Sequence, residues 1–598
     1  MIAKRAVALG SAFALCLLCS FSSLAQTPTG TIAGVLTDPA GAPVVRALVT
    51  ITNRDSSLTR SLNTSDEGDY SAAALPPGVY RVTAEATGFP LLESSATVQV
   101  GTTTTVNLTL QIGEISEKVK VDNAAPSINY EHYQVGSVVS RLQIENLPLN
   151  GRNFLELAKL EPGVTNPVPG TNNRVSVPIL GSGVQTNPRI GYSRVTVDGG
   201  DINFVDSIGA ALGVSQEAVQ EFQISTVNFD LSTSVTTNGA INIVTRSGGN
   251  DFHASVFYFY RDHKLAAYPG PRREQGNLDP FFQRQQFGFR LGGLIRKDRA
   301  FFFTSYERND QRGVLSIQPR TSEFAPLGGI FPNPFLGNQF NLRFDVRFSQ
   351  KHNAFVRYTH DGNNVFGPSG GLNNSLPSGW SRLKNWVDQS ITGLTSVLSS
   401  SLVNDLRLSY FFISSPEAPA NSADCPTCLG VGAPRINIAD VGLMFGNARR
   451  LSFVARRFQL TESLAWQKDQ HRFRFGFDWE HATTSAQRLE QEPAMIELYS
   501  PRQVRNFNAI VPPAAQIPLP SSFLTLDDIL RLPVRSFQTS VGPGLVLQRD
   551  FRKHRVTDLY RLYATDTWRI SPRLTVNYGL AWSYEPHTLN TALRNPNS

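Results

Sequence analysis

Charge, sulfur and long apolar runs are all scarce in this chain. Charged residues make up 17% of the 598, against ~25% in an ordinary soluble domain. The formal net charge is +7, part of it from Lys4 and Arg5 in the first 25 residues, and no basic run is interleaved with aromatics. Nucleic acid is therefore excluded as an expected partner. Of 4 cysteines, Cys16 and Cys19 fall in that same first segment, leaving Cys425 and Cys428. Two thiols cannot make a disulfide scaffold. Beyond the first segment no stretch reaches the ~18 consecutive apolar residues of a spanning helix. That excludes helical spans, but not a β-barrel, whose lipid-facing residues occupy every second position. Catalytic signatures are missing too: there is no GxSxG elbow, P-loop, HExxH or dinucleotide fingerprint, and the 9 histidines are scattered. No enzyme, no cofactor, and no catalytic or metal-binding residue is expected.

What is present begins with residues 1–25. Lys4 and Arg5 precede the apolar run Ala6 to Leu18, and Ser23-Leu24-Ala25 offers small residues for cleavage. This is the pattern of a secretory signal peptide, implying Sec-type export. An acylated Cys19 is the alternative, but Leu18 stands where a lipoprotein signal has a small residue. Residues 27–112 then read as short strands separated by Gly/Pro turns, such as Asp38-Pro39-Ala40-Gly41 and Leu75-Pro76-Pro77-Gly78, the pattern of a small β-sandwich. The stretches GTIAGVLTDPAGAPV and TSDEGDYSAAALPPGVYRVTAEATGF closely resemble the carboxypeptidase regulatory-like domain. That resemblance implies a transthyretin-like accessory fold without catalytic residues.

Residues 113–133 are polar with alternating valines, Val119 and Val121, which fits either a linker or an added edge strand. Residues 134–247 read as a small α+β domain. Its helix is expected after Pro148 and the Asn150-Gly151 turn, on the spacing of Phe154, Leu155 and Ala158. Strands are expected at Val195 to Val197, Glu217 to Ile224 and Ile241 to Val244. Asp198, Asp201 and Asp206 cluster near glycines as Ca²⁺ ligands can, but lack an EF-hand register and a closing Glu, so a turn is expected instead.

From residue 248 onward the chain alternates. Leu342, Phe344, Val346 and Phe348 oppose Arg343, Asp345, Arg347 and Ser349; Phe473, Phe475, Phe477 and Trp479 oppose Arg472, Arg474, Asp478 and Glu480. A period of two places each set on one face of a strand. Alternation alone fits a solvated sandwich, with the apolar set inside, or a membrane barrel, with it outside. Three features favour the barrel: strands near the ~9–11 residues of a tilted span, aromatics at strand ends, and short turns (Arg296 to Arg299, Ser349 to Asn353) alternating with long loops (Ser414 to Arg449, Glu490 to Phe551). Cys425 and Cys428 share one of those long loops. A redox CxxC needs a βαβ context and a zinc site needs two more ligands, so a local disulfide is expected.

In order, LPLNGRNFLELAKLEPGV, VTVDGGDIN, EAVQEFQIST, NGAINIVTRSGGNDFHASVFYFYRD and QFGFRLGGLIRKDRAFFFTSYER resemble the plug and first barrel strands of TonB-dependent outer-membrane receptors, in the Oar-like branch. The resemblance implies a mainly β chain: an N-terminal transthyretin-like β-sandwich, a small α+β plug, and an antiparallel transmembrane β-barrel, incomplete here. It implies a coupling segment for a TonB-type periplasmic protein at Glu117, Lys118, Val119, Lys120 and Val121. It places a plug motif at Asn150, Gly151, Arg152, Asn153, Asp198 and Gly199, and a plug–barrel junction at Gly239, Asn242, Thr245 and Gly248. Outer-membrane lipid and an unidentified extracellular substrate are the other implied partners, and energy-coupled uptake or export is the implied activity. Residues 248–598 hold roughly ten to twelve strands, about half the number with which that family closes. The chain is accordingly expected to be the N-terminal part of a longer protein, and such a piece is not expected to insert alone. A secreted or surface β-rich adhesin is the alternative reading; a surface hydrolase has only the first domain's family name behind it.

Overall fold

In the computed structural model of the protein, the residues described are 28–111, 119–121, 135–149, 151–161, 164, 194–204, 210–227, 231, 239–267, 280–368, 375–447, 450–489, 494–539, 555–571 and 574–586. The expected signal peptide, Glu117, Lys118, Asn150 and Asp206 lie outside the described residues.

The first module contributes β1 (Gly30–Thr37), β2 (Leu48–Asn53), β3 (Thr59–Asn63), β4 (Asp69–Leu75), β5 (Gly78–Glu85), β6 (Leu92–Val98), β7 (Thr103–Thr105), β8 (Leu108–Thr109) and the short β9 (Val119–Val121). One sheet runs β4-β1-β7, with β8 also on β1; the other runs β3-β2-β5-β6-β9. Every second residue points inward, so Ile32, Val49, Ile51, Val82 and Leu92 meet in one core between the sheets. Two buried tyrosines keep their hydroxyls satisfied: Tyr70 donates to the Val106 carbonyl and Tyr80 to the Pro76 carbonyl.

The second module forms β10 (Val135–Val139), helix α1 (Arg141–Asn146), β11 (Arg194–Val197), β12 (Gly200–Asp201), β13 (Val219–Val227) and β14 (Ala240–Thr245). Its sheet order is β10-β13-β14-β11-β12, which makes β14 central and wholly buried and leaves β10 at an edge. The expected helix takes the tighter 3₁₀ form over Phe154–Leu160, with the Asn153 side chain accepting from the Leu155 N–H. The α-helix lies before Pro148 instead, where Ser140 and Gln143 form a capping box.

The remainder builds β15 (His253–Asp262), β16 (Phe282–Arg296), β17 (Ala300–Ile317), β18 (Gly329–Arg347), β19 (His352–Pro368), β20 (Trp380–Ser399) and β21 (Leu402–Pro419). It continues with β22 (Arg435–Ile438), β23 (Leu443–Phe445), β24 (Arg450–Lys468), β25 (His471–Leu489), β26 (Met495–Leu498), β27 (Val534–Gln538), β28 (Arg555–Ser571) and β29 (Leu574–Tyr584). Eleven of these make one antiparallel sheet, β15 through β21 followed by β24, β25, β28 and β29. β15 and β29 do not pair with each other, so the wall is not closed among the described residues.

Adjacent residues settle which way that wall faces. Val356 is 46% exposed and Arg357 0%; Leu408 is 49% exposed and Arg407 4%; Phe458 is 49% exposed and Arg457 4%. The guanidinium groups are inside and the apolar side chains outside, the reverse of a solvated sandwich and the arrangement a lipid-facing barrel requires. Aromatics gather at the short-turn end, where Trp466 meets Phe473 and His471 stacks on Trp568. β15 and β29, at 10 and 11 residues, match the expected span, while the other wall strands run from 15 to 20.

Those loops are the main departure from the sequence reading. The regions read as irregular (414–449 and 490–551) contain a four-stranded sheet, β23-β22-β26-β27, with helices α2 (Pro501–Asn508) and α3 (Leu526–Leu530). β22 pairs in parallel with β26, joining two different loops. Its core takes Trp380, Phe324, Ile436, Ile438, Leu443 and Phe445. Cys425 and Cys428 are bonded to each other beside this cap.

Candidate functional site

The second module sits inside the wall, packed against the inward-facing apolar side chains Phe303, Val387, Phe411, Ile413 and Phe453 and tied to it by buried ion pairs. Asp198 starts the tight turn between β11 and β12 with a positive φ of 51°, followed by Gly199 at 89°. Short-chain Asp and Gly tolerate this left-handed backbone. The carboxylate is 1% exposed. It accepts from the Thr245 N–H at 2.9 Å and the Thr245 hydroxyl at 2.6 Å. Arg357 from β19 pairs with it at 3.0 Å and Arg343 from β18 at 3.4 Å, while Arg407 from β21 donates to the Asp198 carbonyl at 2.6 Å. Burial alone would raise this carboxyl; Arg357, Arg343 and the Thr245 hydrogen bonds outweigh it and hold the group below the ordinary carboxylate range. Asp201, the next carboxylate, pairs with Arg457 at 3.1 Å and Arg194 at 3.4 Å, and Arg194 reaches on to Glu480 of the wall.

A second cluster ties the insert to β15, β16 and β17. Arg152, itself at φ 58° after Gly151, pairs with Glu217 at 2.6 Å and with wall Glu307 at 3.4 Å, and lies over the Phe257 ring at 4.0 Å. Glu145 gathers Arg246 at 2.7 Å and wall Arg290 at 2.9 Å. Hydrogen bonds from Ser215 to Glu307 (2.6 Å) and from the Gly213 N–H to Asp361 (2.8 Å) also join insert and wall. Buried ion pairs of this kind specify a geometry more than they stabilise it. Among the described residues no group of three His, Cys, Asp or Glu side chains converges to hold a metal ion.

The description "Outer membrane beta barrel domain" matches residues 244–326 and 328–596, more than half of the chain. The chain belongs to the outer-membrane β-barrel family. Residues 31–111 of this outer-membrane barrel protein match the carboxypeptidase regulatory-like domain. The chain is 30% identical over 300 residues to the TonB-dependent transporter Oar of Myxococcus xanthus, covering 48% of this chain and 27% of that protein. Among solved structures it is similar to the outer membrane transporter YddB of Escherichia coli (TM-score 0.50, 10% identity, 76% of this chain and 56% of that one) and to the siderophore receptor PirA of Acinetobacter baumannii (TM-score 0.45, 12% identity, 76% and 57%). The chain thus spans about a quarter of Oar and just over half of these two receptors. Its fold is similar to that of YddB, and its place is the outer membrane.

Within this outer-membrane barrel protein, the sequence-derived positions fall in three places. Arg152 and Asp198 meet the wall as described, the Gly151 carbonyl accepts from Gln286 of β16, and Gly199 continues the Asp198 turn. At the junction, Gly239 (φ 99°) accepts through its carbonyl from the Arg194 N–H, Asn242 accepts from the Thr196 hydroxyl, and Thr245 binds Asp198. Gly248 leads into the turn from which Asn250 reaches Asp298 of the β16–β17 turn and the Asp55 carbonyl of the first module. Val119–Val121 form β9 on the first module's sheet. Sequence reasoning missed the wall arginines Arg343, Arg357, Arg407 and Arg457 as partners. The available signal was their polar-face position on strands whose other face is apolar.

The first module closes the short-turn end. Arg347 donates to the Ser56 and Ser57 carbonyls, Arg569 pairs with Asp69, and Glu221 of β13 accepts from the Val100 N–H. Glu221 differs instructively from Glu145. Burial would raise both. Hydrogen bonds from Arg290 and Arg246 bring Glu145 down to about 2, whereas Glu221 has no such cation and is pushed up to about 7. A raised carboxyl favours the docked state fully below its free value of 4.5, and that contribution is lost as pH rises through about 7. Docking of the first module should therefore weaken by on the order of 3 kcal/mol between pH 5 and 8, read as faster amide exchange at Val98 to Thr102. Glu221→Gln should flatten the profile; a wild-type profile already flat over this range would refute the assignment.

Proposed function

We propose that this chain belongs to an energy-coupled transporter that moves a large substrate across the outer membrane, driven from the periplasm through the segment Glu117 to Val121. The observation that carries the reading is the insert itself: a small folded domain lodged inside the wall and tied to it both by apolar packing and by buried ion pairs that water can replace. Its edge strand β10 lies next along the chain from the coupling segment. Among the described residues β10 is paired on one side, to β13. A pull on the segment would peel this strand first. Substrate would bind on the long-loop side, between the plug apices around Gly213 and the cap built on β22 and β26. The similarity to Oar supports the transporter class.

Deleting Glu114 to Val121 in the full-length protein should abolish uptake and leave outer-membrane insertion and substrate binding intact. Uptake that survives the deletion would count decisively against the coupling role.

A further inference from the structure

Three sets of contacts hold the first module across the short-turn mouth of the wall. In the first, Arg347 of β18 donates to the Ser56 and Ser57 carbonyls, and Asn250, bonded to Asp298 of the β16–β17 turn, donates its backbone N–H to the Asp55 carbonyl. In the second, Arg569 of β28 pairs with Asp69 at the start of β4. Beside that pair, Thr31 and Ala74 face Asp405 of β21, Ser463 of β24 and Arg474 of β25 across a cavity of about 20 Å³, room for about one water. Asp405 and Ser463 are buried residues of the lumen face. The third set is with the plug, where the Val100 N–H donates to Glu221. In the sheet, β19 and β20 separate β18 from β21, so the module bridges from one arc of the wall to another.

This seam differs in kind from the one around the plug. The plug's buried apolar cluster takes in the wall residues Phe303, Val387, Phe411 and Phe453. The module's cluster is drawn only from residues 32–110. The module therefore keeps its core when it separates, and the seam it breaks is polar. Polar interfaces between domains allow relative motion by default. We infer that the first module is a second gate, in series with the plug, and that a solute crosses only when the module has left the mouth as well. This rests on the transporter reading above. A displaced plug alone opens the lumen onto the module. Two barriers in series leak only when both are open, so a lapse in either one leaves the membrane sealed.

The test needs no transported substrate. Full-length protein is refolded into vesicles holding trapped raffinose, a neutral trisaccharide, and release is timed for three variants whose walls remain heat-modifiable. Asp198→Ala loosens the plug, Arg347→Ala with Arg569→Ala frees the module, and the third protein combines all three changes. The combined protein should release raffinose about tenfold faster than the other two together, because barriers in series fail only jointly. Exchanging its Arg569→Ala for Arg569→Cys and adding Asp69→Cys lets a short bis-maleimide tether the module again. Linking should return release to the Asp198→Ala rate, which a misfolded wall would not allow. Release from Asp198→Ala alone that matches the combined protein would overturn the inference, since the mouth would already be open with the module docked. Combined release no faster than the sum of the other two, or unchanged by linking, would overturn it as well. Release from the Arg347→Ala, Arg569→Ala protein that matches the combined one would instead show the plug to be no barrier. The transporter reading itself would then fall, and the second gate with it.

Discussion

Asp198→Ala should loosen the plug from the wall more than any other single truncation in the insert. The carboxylate is the shared counter-charge for Arg357, which is 0% exposed, and for Arg343. Arg343 retains Asp345 at 2.8 Å when Asp198 is lost. Arg357 retains only neutral partners, Thr359, Gln389 and the Val197 carbonyl. Removing one member of a buried pair leaves the other charged and uncompensated, at a cost of ~3–5 kcal/mol. The loss also unties Thr245, whose N–H and hydroxyl both donate to Asp198. The expected result is a plug that becomes sensitive to protease in the full-length protein while the wall still resists heat and detergent. Asp198→Asn should do less harm, because it keeps acceptors for Thr245. Combining Asp198→Ala with Arg357→Met should recover part of the loss, since the orphaned charge goes too. Acid should mimic the substitution only in an extreme range. The Asp198 carboxyl is lowered from its ordinary 3.8, so its contribution is complete above that value and is lost as pH falls through the lowered one. A plug equally resistant to protease with and without Asp198 would show that the ion pairs are incidental.

The same residue shows how far the sequence could be read. Asp198-Gly199 announces a turn by composition, and a turn is what it forms. That it is also the hub of the insert was invisible, because its partners arrive from β14, β18, β19 and β21, far along the chain. Strand positions in the wall were legible wherever one face was apolar, as at Leu342 to Ser349. The direction of that face was not, since a period of two is the same inside out; it took the burial of Arg357 beside the exposure of Val356 to decide it. The cap escaped for a different reason. β22 and β26 are four residues each and pair in parallel across two loops, so neither has a local partner and neither is long enough to declare a period. Val119 and Val121 did suggest a strand, and β9 is one, but its register against β6 depends on where the first module's sheet ends.

Gly248→Val should be the most damaging change at the junction, for a reason that is purely steric. A Cβ at this position would lie 2.4 Å from the Phe302 carbonyl oxygen, 2.7 Å from the Gly293 carbonyl oxygen and 2.9 Å from the Phe302 nitrogen. All three are backbone atoms, and Gly293 and Phe302 are directly paired across β16 and β17. No rotamer change relieves the clash; either the wall ladder opens or the chain leaving the plug shifts. Overpacking costs ~1–3 kcal/mol where side chains can adjust, so a clash with fixed backbone belongs at or above the top of that range, with alanine milder than valine. The neighbouring Gly249 supplies the control, because its nearest contact would be the Asp55 carbonyl at 3.2 Å on the first module, which can give. Gly249→Ala should melt close to wild type, while Gly248→Val should lower the melting temperature of the refolded full-length protein and reduce the heat-modifiable fraction. The damage should also reach the plug. Two residues before Gly248, Arg246 holds Glu145, and Thr245 just ahead of it holds Asp198. Displacing the junction therefore pulls on both ion-pair clusters at once, and protease should find the plug before it finds the wall. Equal melting of the two variants would mean that the seam tolerates the shift and that the glycine is there for another cause.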